Sequence, residues 1–238
     1  MKKTRKKYGT IRTSEKIYVT ISDARLTQVF PKLSQLLSQS GVKTLLDYGA
    51  GDGLFIDKCL PDCVSRSIHY DLSPAMRSLA KQRLQKRMDI EIIGTTKSIK
   101  SGSVGAVTMT AVWMEFPSVS KAKQSLREIY RVLAPGGRLY AAITHPCFRP
   151  ERFSTHVTDF DNKNYFKEGR QFSVTVFSGR KKALFRDFHW NLQSTTAQLD
   201  SEGFLVKRIY EIPDRRHKGK MAKGAPWMII EAIKIADA

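Results

Sequence analysis

Apolar and polar positions recur in this chain with two periods, one helical and one strand-like, arranged in alternating blocks. Leu26, Val29, Phe30, Leu33, Leu36 and Leu37 fall at helical spacing, with Asp23 as the cap and Gly41 as the stop. Pro31 lies inside that block; it has no amide proton and predicts a kink or two short helices. From Val42 onward, Thr44–Tyr48, Ser67–Tyr70, Ile90–Ile93, Val104–Thr110 and Arg138–Thr144 read as short apolar strands. Between them lie a helix through Phe55 and Ile56, another capped by Ser73 with Pro74 at its first position and running to about Arg87, and a third over Ser120–Leu133. Pro135-Gly136-Gly137 stops the third. Strands alternating with helices predict an α/β fold, a doubly wound, Rossmann-like and mostly parallel sheet.

The rhythm breaks over residues 148–190. This stretch holds ten of the 23 aromatic residues and a hairpin pattern, Gln171–Phe177 and Arg180–Phe185 around Ser178-Gly179. It predicts an aromatic-rich cap inserted before the last helix, Ser194–Ser201, which ends at Gly203. Phe204–Tyr210 and Trp227–Ile235 then read as a closing antiparallel pair, giving seven strands. A basic loop with Arg215, Arg216, Lys218, Lys220 and Lys223 joins that pair. The expected organisation is a basic arm over 1–20 and one domain over 21–238, with the cap at about 148–190.

Composition changes this picture in two ways. Of the 238 residues 41% are hydrophobic and none form an eighteen-residue apolar run, so wholesale disorder and a helical membrane span are both excluded. Three cysteines, Cys59, Cys63 and Cys147, make no disulfide framework and show no metal-ligand spacing. No hydrophobic stretch follows the basic N-terminus, and cytoplasm is the expected compartment. The formal charge of +19 is the second change, because a field of that size attracts polyanions, RNA among them.

The informative stretch is Leu45-Leu46-Asp47-Tyr48-Gly49-Ala50-Gly51-Asp52-Gly53, a strand entering a glycine-rich turn and then a helix. Glycines admit close backbone approach, and a helix start offers unpaired N–H groups. Asp71 follows at the end of the second strand, where a carboxylate can accept from two ribose hydroxyls. The acid followed by Gly-x-Gly-x-Gly resembles the first motif of class I S-adenosylmethionine-dependent methyltransferases. Tyr70-Asp71-Leu72-Ser73-Pro74-Ala75-Met76 resembles that family's second-strand motif, and Glu128 through Leu139 its approach to strand five. The resemblance covers about residues 40–145, and the Gly203-Phe204 step extends it loosely. It implies S-adenosyl-L-methionine as cofactor. Asp47 and the backbone of Gly49, Ala50 and Gly51 would hold its methionine end, Asp71 its ribose, and Leu72 would flank the adenine. Many relatives carry an acid after strand three; here Thr95 and Thr96 stand there, and a hydroxyl would take that acid's place. Thr110 and Ala111 would line the sulfonium.

The methyl acceptor is read from what surrounds that site. No Asn/Asp-Pro-Pro-Tyr/Phe follows strand four, which argues against adenine-N6 chemistry; Trp113 is the candidate substrate contact there. His145-Pro146-Cys147-Phe148 resembles a subset of small-molecule methyltransferases. His145 and His189 are the candidate general bases, and Phe148 and Tyr165 candidate substrate contacts. The expected substrate is a small molecule, partly aromatic or anionic, methylated on N, O or C. RNA docked on the basic surface is the alternative, with Cys147 as the nucleophile in a cytosine-C5 version. A cofactor-binding module without catalysis is a third reading.

Overall fold

The computed structural model describes residues 25–178, 181–214 and 224–235. The arm over 1–20, the Asp23 cap and the basic loop over 215–223 lie outside them.

The first apolar block forms two helical pieces, as Pro31 demands. A wide π-type turn, Arg25–Val29, leads into α1 (Phe30–Ser40), which takes Pro31 in its first turn and ends on Gly41 at φ 65°. Then follow β1 (Thr44–Tyr48), α2 (Leu54–Cys59), β2 (Arg66–Tyr70), α3 (Pro74–Arg83), β3 (Ile90–Ile93), β4 (Val104–Thr110), α4 (Val119–Val132) and β5 (Leu133–Thr144). Further on come β6 (His156–Thr158), β7 (Gln171–Ser178), β8 (Lys181–Phe188), α5 (Leu192–Ser201), β9 (Phe204–Ile212) and β10 (Trp227–Lys234).

Seven strands form one sheet in the order β3-β2-β1-β4-β5-β10-β9. The first five run parallel, and β10 closes antiparallel to both β5 and β9. Both faces are covered, which is why the central strands read as unbroken apolar runs. Leu46, Val107 and Met109 face Leu126, Ile129 and Val132 of α4, while Leu45, Ala106 and Ala142 face Phe30, Leu33 and Leu37 of α1.

Several features differ from the sequence reading, and the following have a local reason. α3 stops at Arg83, and Leu84 turns inward to pack with Ile56 and Ala80 before the chain re-enters the sheet at β3. β5 begins at Leu133, five residues early. Val104 pairs with Leu133 and Ala106 with Arg138, so Pro135-Gly136-Gly137 is a bulge within the strand rather than a stop before it. A side chain at Gly137 would lie 2.8 Å from the Ala134 carbonyl oxygen. The hairpin turn falls one residue later than expected, since Ser178 pairs with Lys181. β6 escapes the sequence reading because three residues carry too little alternation.

Strands β6, β7 and β8 form a separate antiparallel sheet between β5 and α5, where the insertion was expected. Two buried side chains fasten it to the main sheet. The Asp214 carboxylate accepts from the Ser154 amide and hydroxyl, both at 2.7 Å, and from Gln28 Nε2 at 3.3 Å. Arg149 donates to Thr144 Oγ1 and His189 Nδ1, each at 3.0 Å, and its guanidinium lies 4.5 Å from the Phe172 ring centroid. Asp214→Ala removes three bonds to a buried carboxylate and is expected to cost about 2–3 kcal/mol in urea unfolding. Early proteolytic nicking in the 150–178 segment should accompany the loss; an unchanged midpoint would show that Asp214 fastens nothing.

Candidate functional site

The parallel strands end on one edge of the sheet, and four of the loops that follow them meet there. In the loop after β1, Gly49, Gly51 and Gly53 have φ of 74°, 58° and 79°. A Cβ at Gly49 would sit 2.4 Å from Val112 Cγ2, so this loop and the one after β4 interlock only with glycine there. The Gly49 and Ala50 amides donate to the Tyr70 carbonyl at 2.8 and 2.9 Å, and His69 Nε2 donates to the Gly51 carbonyl at 2.8 Å. Arg83 fixes the far side, donating to the Asp52 carboxylate at 2.7 Å and to its carbonyl at 3.0 Å.

Asp71 joins two loops. One carboxylate oxygen accepts from the Gly51 amide and the other from the Ser73 amide, both at 2.8 Å, which leaves a lone pair on each for a ligand. Beside it Leu72 is 66% exposed. Asp47 is buried, accepts from Thr108 Oγ1 at 2.8 Å, and burial pushes its pKa up to about 6. The Thr108 bond and His69 oppose that rise. Thr110 Oγ1 is sealed and has no partner among the described residues. Ala111 next to it holds φ 59°, a conformation that strains any residue with a Cβ.

At the end of β3, Thr96 is buried and its hydroxyl donates to Glu128, so it is taken up in packing. Exposed Thr95 Oγ1 accepts from the Lys97 amide and keeps its own proton for another partner. Arg77 lies beside them. It donates to the carbonyls of Asp71 and Leu72, with its guanidinium against Gly94, where a Cβ would come within 2.8 Å of Cζ.

Ala111 also borders a cavity of about 100 Å³ between the main sheet and the second sheet. Met114, Thr144 and Trp227 line one side; Thr155, His156 and Val174 line the other. The expected substrate contacts stand elsewhere. Trp113 is 1% exposed in the core, edge-on to Phe116. Phe148 packs on the His145 ring, and the Tyr165 hydroxyl accepts from the Leu192 amide and lies 3.5 Å from Cys147 Sγ.

The two expected bases are also engaged. His145 Nδ1 accepts from the Cys147 amide at 3.3 Å, which leaves the proton on Nε2, 3.0 Å from Glu211. His189 is fully buried; Nδ1 accepts from Arg149 and Nε2 donates to the Tyr165 carbonyl at 2.7 Å. Burial lowers its pKa to about 4, and Arg149 adds to the effect. Neither ring presents a free nitrogen to the cavity, so the general-base expectation finds no lone pair at either. The sequence reading missed Arg77, Arg83, Arg149, Thr144 and His156. Only the position of Thr144 at a strand end offered any signal.

Residues 46–141 match the family described as Methyltransferase domain. No curated protein matches the sequence. Among solved structures, an S-adenosylmethionine-dependent methyltransferase from Clostridium acetobutylicum is 11% identical with a TM-score of 0.66, covering 94% of this chain and 99% of its own. One from Aquifex aeolicus is 16% identical with a TM-score of 0.61, covering 93% and 98%. An amino pentose methyltransferase from Micromonospora echinaspora, bound to S-adenosylmethionine, is 15% identical with a TM-score of 0.60, covering 94% and 97%. The glycine cradle, the twin lone pairs of Asp71, the orphaned Thr110 hydroxyl and the exposed Leu72 suit that cofactor's amino acid, ribose and adenine parts.

Two outcomes follow from this geometry. Asp71→Ala should weaken S-adenosylhomocysteine binding by about 2–3 kcal/mol in calorimetry; unchanged affinity would move the ribose elsewhere. Asp47 has a folded pKa near 6, above its ordinary 3.8, so its contribution to stability is full below about pH 4 and is lost as pH rises through 6. Asp47→Asn should therefore stabilise the unliganded protein at pH 8, by up to about 3 kcal/mol, and make little difference at pH 4. A thermal-shift series across that range checks both the sign and the window.

Proposed function

We propose that this chain is a class I S-adenosylmethionine-dependent methyltransferase and that it methylates an N, O or C atom of a small molecule held under the second sheet. The observation that carries the reading is Ala111, which opens the loop after β4 expected to face the sulfonium and also borders the cavity. A cavity of this size, walled by Met114, Val174 and Trp227 with Arg25, Glu115 and Asp187 also lining it, suits a compact acceptor. The second sheet is the cap over it.

When bound, S-adenosylmethionine supplies a methyl group on a positively charged sulfur, and transfer then depends mainly on alignment. Asp47 and the backbone of Gly49, Ala50 and Gly51 hold the methionine end, and Asp71 accepts from the ribose hydroxyls. Leu72 covers the adenine, and Thr110 and Ala111 flank the reacting centre. His145 closes the turn after β5, and His189 orients Arg149. Cys59, Cys63 and Cys147 are free thiols, which supports a reducing, cytoplasmic setting.

The +19 charge is the feature that favours RNA, and salt separates a general field from a specific site. Titration with single-stranded RNA, S-adenosylhomocysteine present, should give weak binding that collapses by about 200 mM salt. Tight binding that survives there would overturn the small-molecule reading and make the cap an RNA clamp.

A further inference from the structure

Two polar groups on opposite walls of the cavity remain unused. His156 opens β6 and is 5% exposed. Its Nδ1 lies 3.0 Å from Thr155 Oγ1, and Phe153 packs on the ring at 5.3 Å between centroids. Nε2 has no hydrogen-bond partner among the described residues, yet it is not sealed from solvent, and the residue lines the cavity. Thr144 ends β5 on the facing wall. Its Oγ1 accepts from Arg149 Nη1 at 3.0 Å, and a guanidinium has no lone pair to accept in return. The Thr144 hydroxyl proton is therefore left without an acceptor among the described residues, in a side chain that also lines the cavity. One wall offers a ring nitrogen and the other an O–H, and Ala111 brings the methyl-donor site to the same space.

We infer that His156 Nε2 and the Thr144 hydroxyl form the acceptor subsite, which takes a neutral O–H or N–H group of the small molecule. The inference rests on the small-molecule reading above. In the tautomer that donates from Nδ1 to Thr155, Nε2 accepts the hydrogen of the reacting group, and Thr144 donates to a second polar atom of the same molecule. A neutral acceptor suits the charges around the ring. Burial and the Arg149 guanidinium hold His156 near a pKa of 4, with Asp214 acting against them, so the imidazole enters the reaction uncharged. Asp187 on β8 lines the same cavity and faces Arg149. During transfer the acceptor's lone pair forms the new bond to the methyl carbon and the carbon–sulfur bond breaks. Sulfur keeps that electron pair and becomes a neutral thioether. The acceptor's proton passes to Nε2, giving an imidazolium that releases it to water.

The test has two parts. Wild-type protein with a methyl-labelled cofactor is given a cell extract split into small molecules and RNA; label in RNA refutes the small-molecule reading itself. With label in small molecules, His156→Gln and Thr144→Val should each cut incorporation roughly 100-fold, while S-adenosylhomocysteine affinity stays within about twofold. Incorporation near wild type in both folded variants overturns this subsite and leaves the function standing. The second part uses wild-type protein only, with nitrogen-15-labelled histidine and phenol as the probe. The His156 resonances should report an unprotonated Nε2 that shifts on phenol addition, with His145 and His189 unmoved. A protonated Nε2, or no shift at saturating phenol, overturns the assignment.

Discussion

A charge buried between two sheets is the constraint on which the cap depends. Arg149 lies inside the protein, where an unpaired guanidinium would be costly to keep. It is tolerated because two of its donors and its face are met: Thr144 at the end of β5 takes Nη1, His189 at the entry to α5 takes Nε, and the Phe172 ring on β7 lies against the guanidinium. Asp187 supplies the countercharge. Those partners come from three separate stretches of chain, so satisfying one side chain sets how the second sheet sits on the first. The same positive charge disfavours protonation of three nearby buried histidines, His145, His156 and His189. The second sheet thus gains an attachment, and its buried imidazoles stay uncharged, through one residue.

At the other end of the site the organising contacts are short in sequence. Asp71 clasps the Gly51 and Ser73 amides, Tyr70 takes the Gly49 and Ala50 amides, and Arg83 pins Asp52. Each contact ties the first glycine loop to the β2–α3 unit that follows it. Such a cradle is shaped before any ligand arrives, and the strained Ala111 and close-packed Val112 press on it from the β4 side. Buried Asp47 carries the opposite electrostatic sign to Arg149. Its carboxylate is destabilised by burial, which is the condition under which a cationic amino group of a ligand is most welcome.

This difference in range explains what could be read from the sequence. The alternation of strand and helix was legible because a strand buried on both faces must be apolar throughout, and the Ser73-Pro74 cap and Gly41 stop are written in adjacent residues. The meeting of the glycine loop with Asp71 was legible for the same reason, since the acid, the three glycines and Asp71 stand at fixed short spacing. β5 was cut short because Pro135-Gly136-Gly137 carries the residues of a helix stop and serves here as a bulge. Nothing local tells the two apart; the pairing partner Val104 decides.

The cavity was the least legible part, and the histidines show why. His145 and His189 drew notice through their neighbours in the chain, His145 after a strand and His189 beside Trp190. What a histidine can do depends on which groups reach its two nitrogens, and those groups are Glu211, Arg149 and the Tyr165 carbonyl, 66, 40 and 24 residues away. His156 sat in a stretch with no motif at all. It is left with an open nitrogen because Asp214 and Arg149 fasten the surrounding chain without using it. In this chain the glycine loop is held by contacts of short sequence range, whereas the second sheet is held by long-range contacts to two buried charged residues, Arg149 and Asp214.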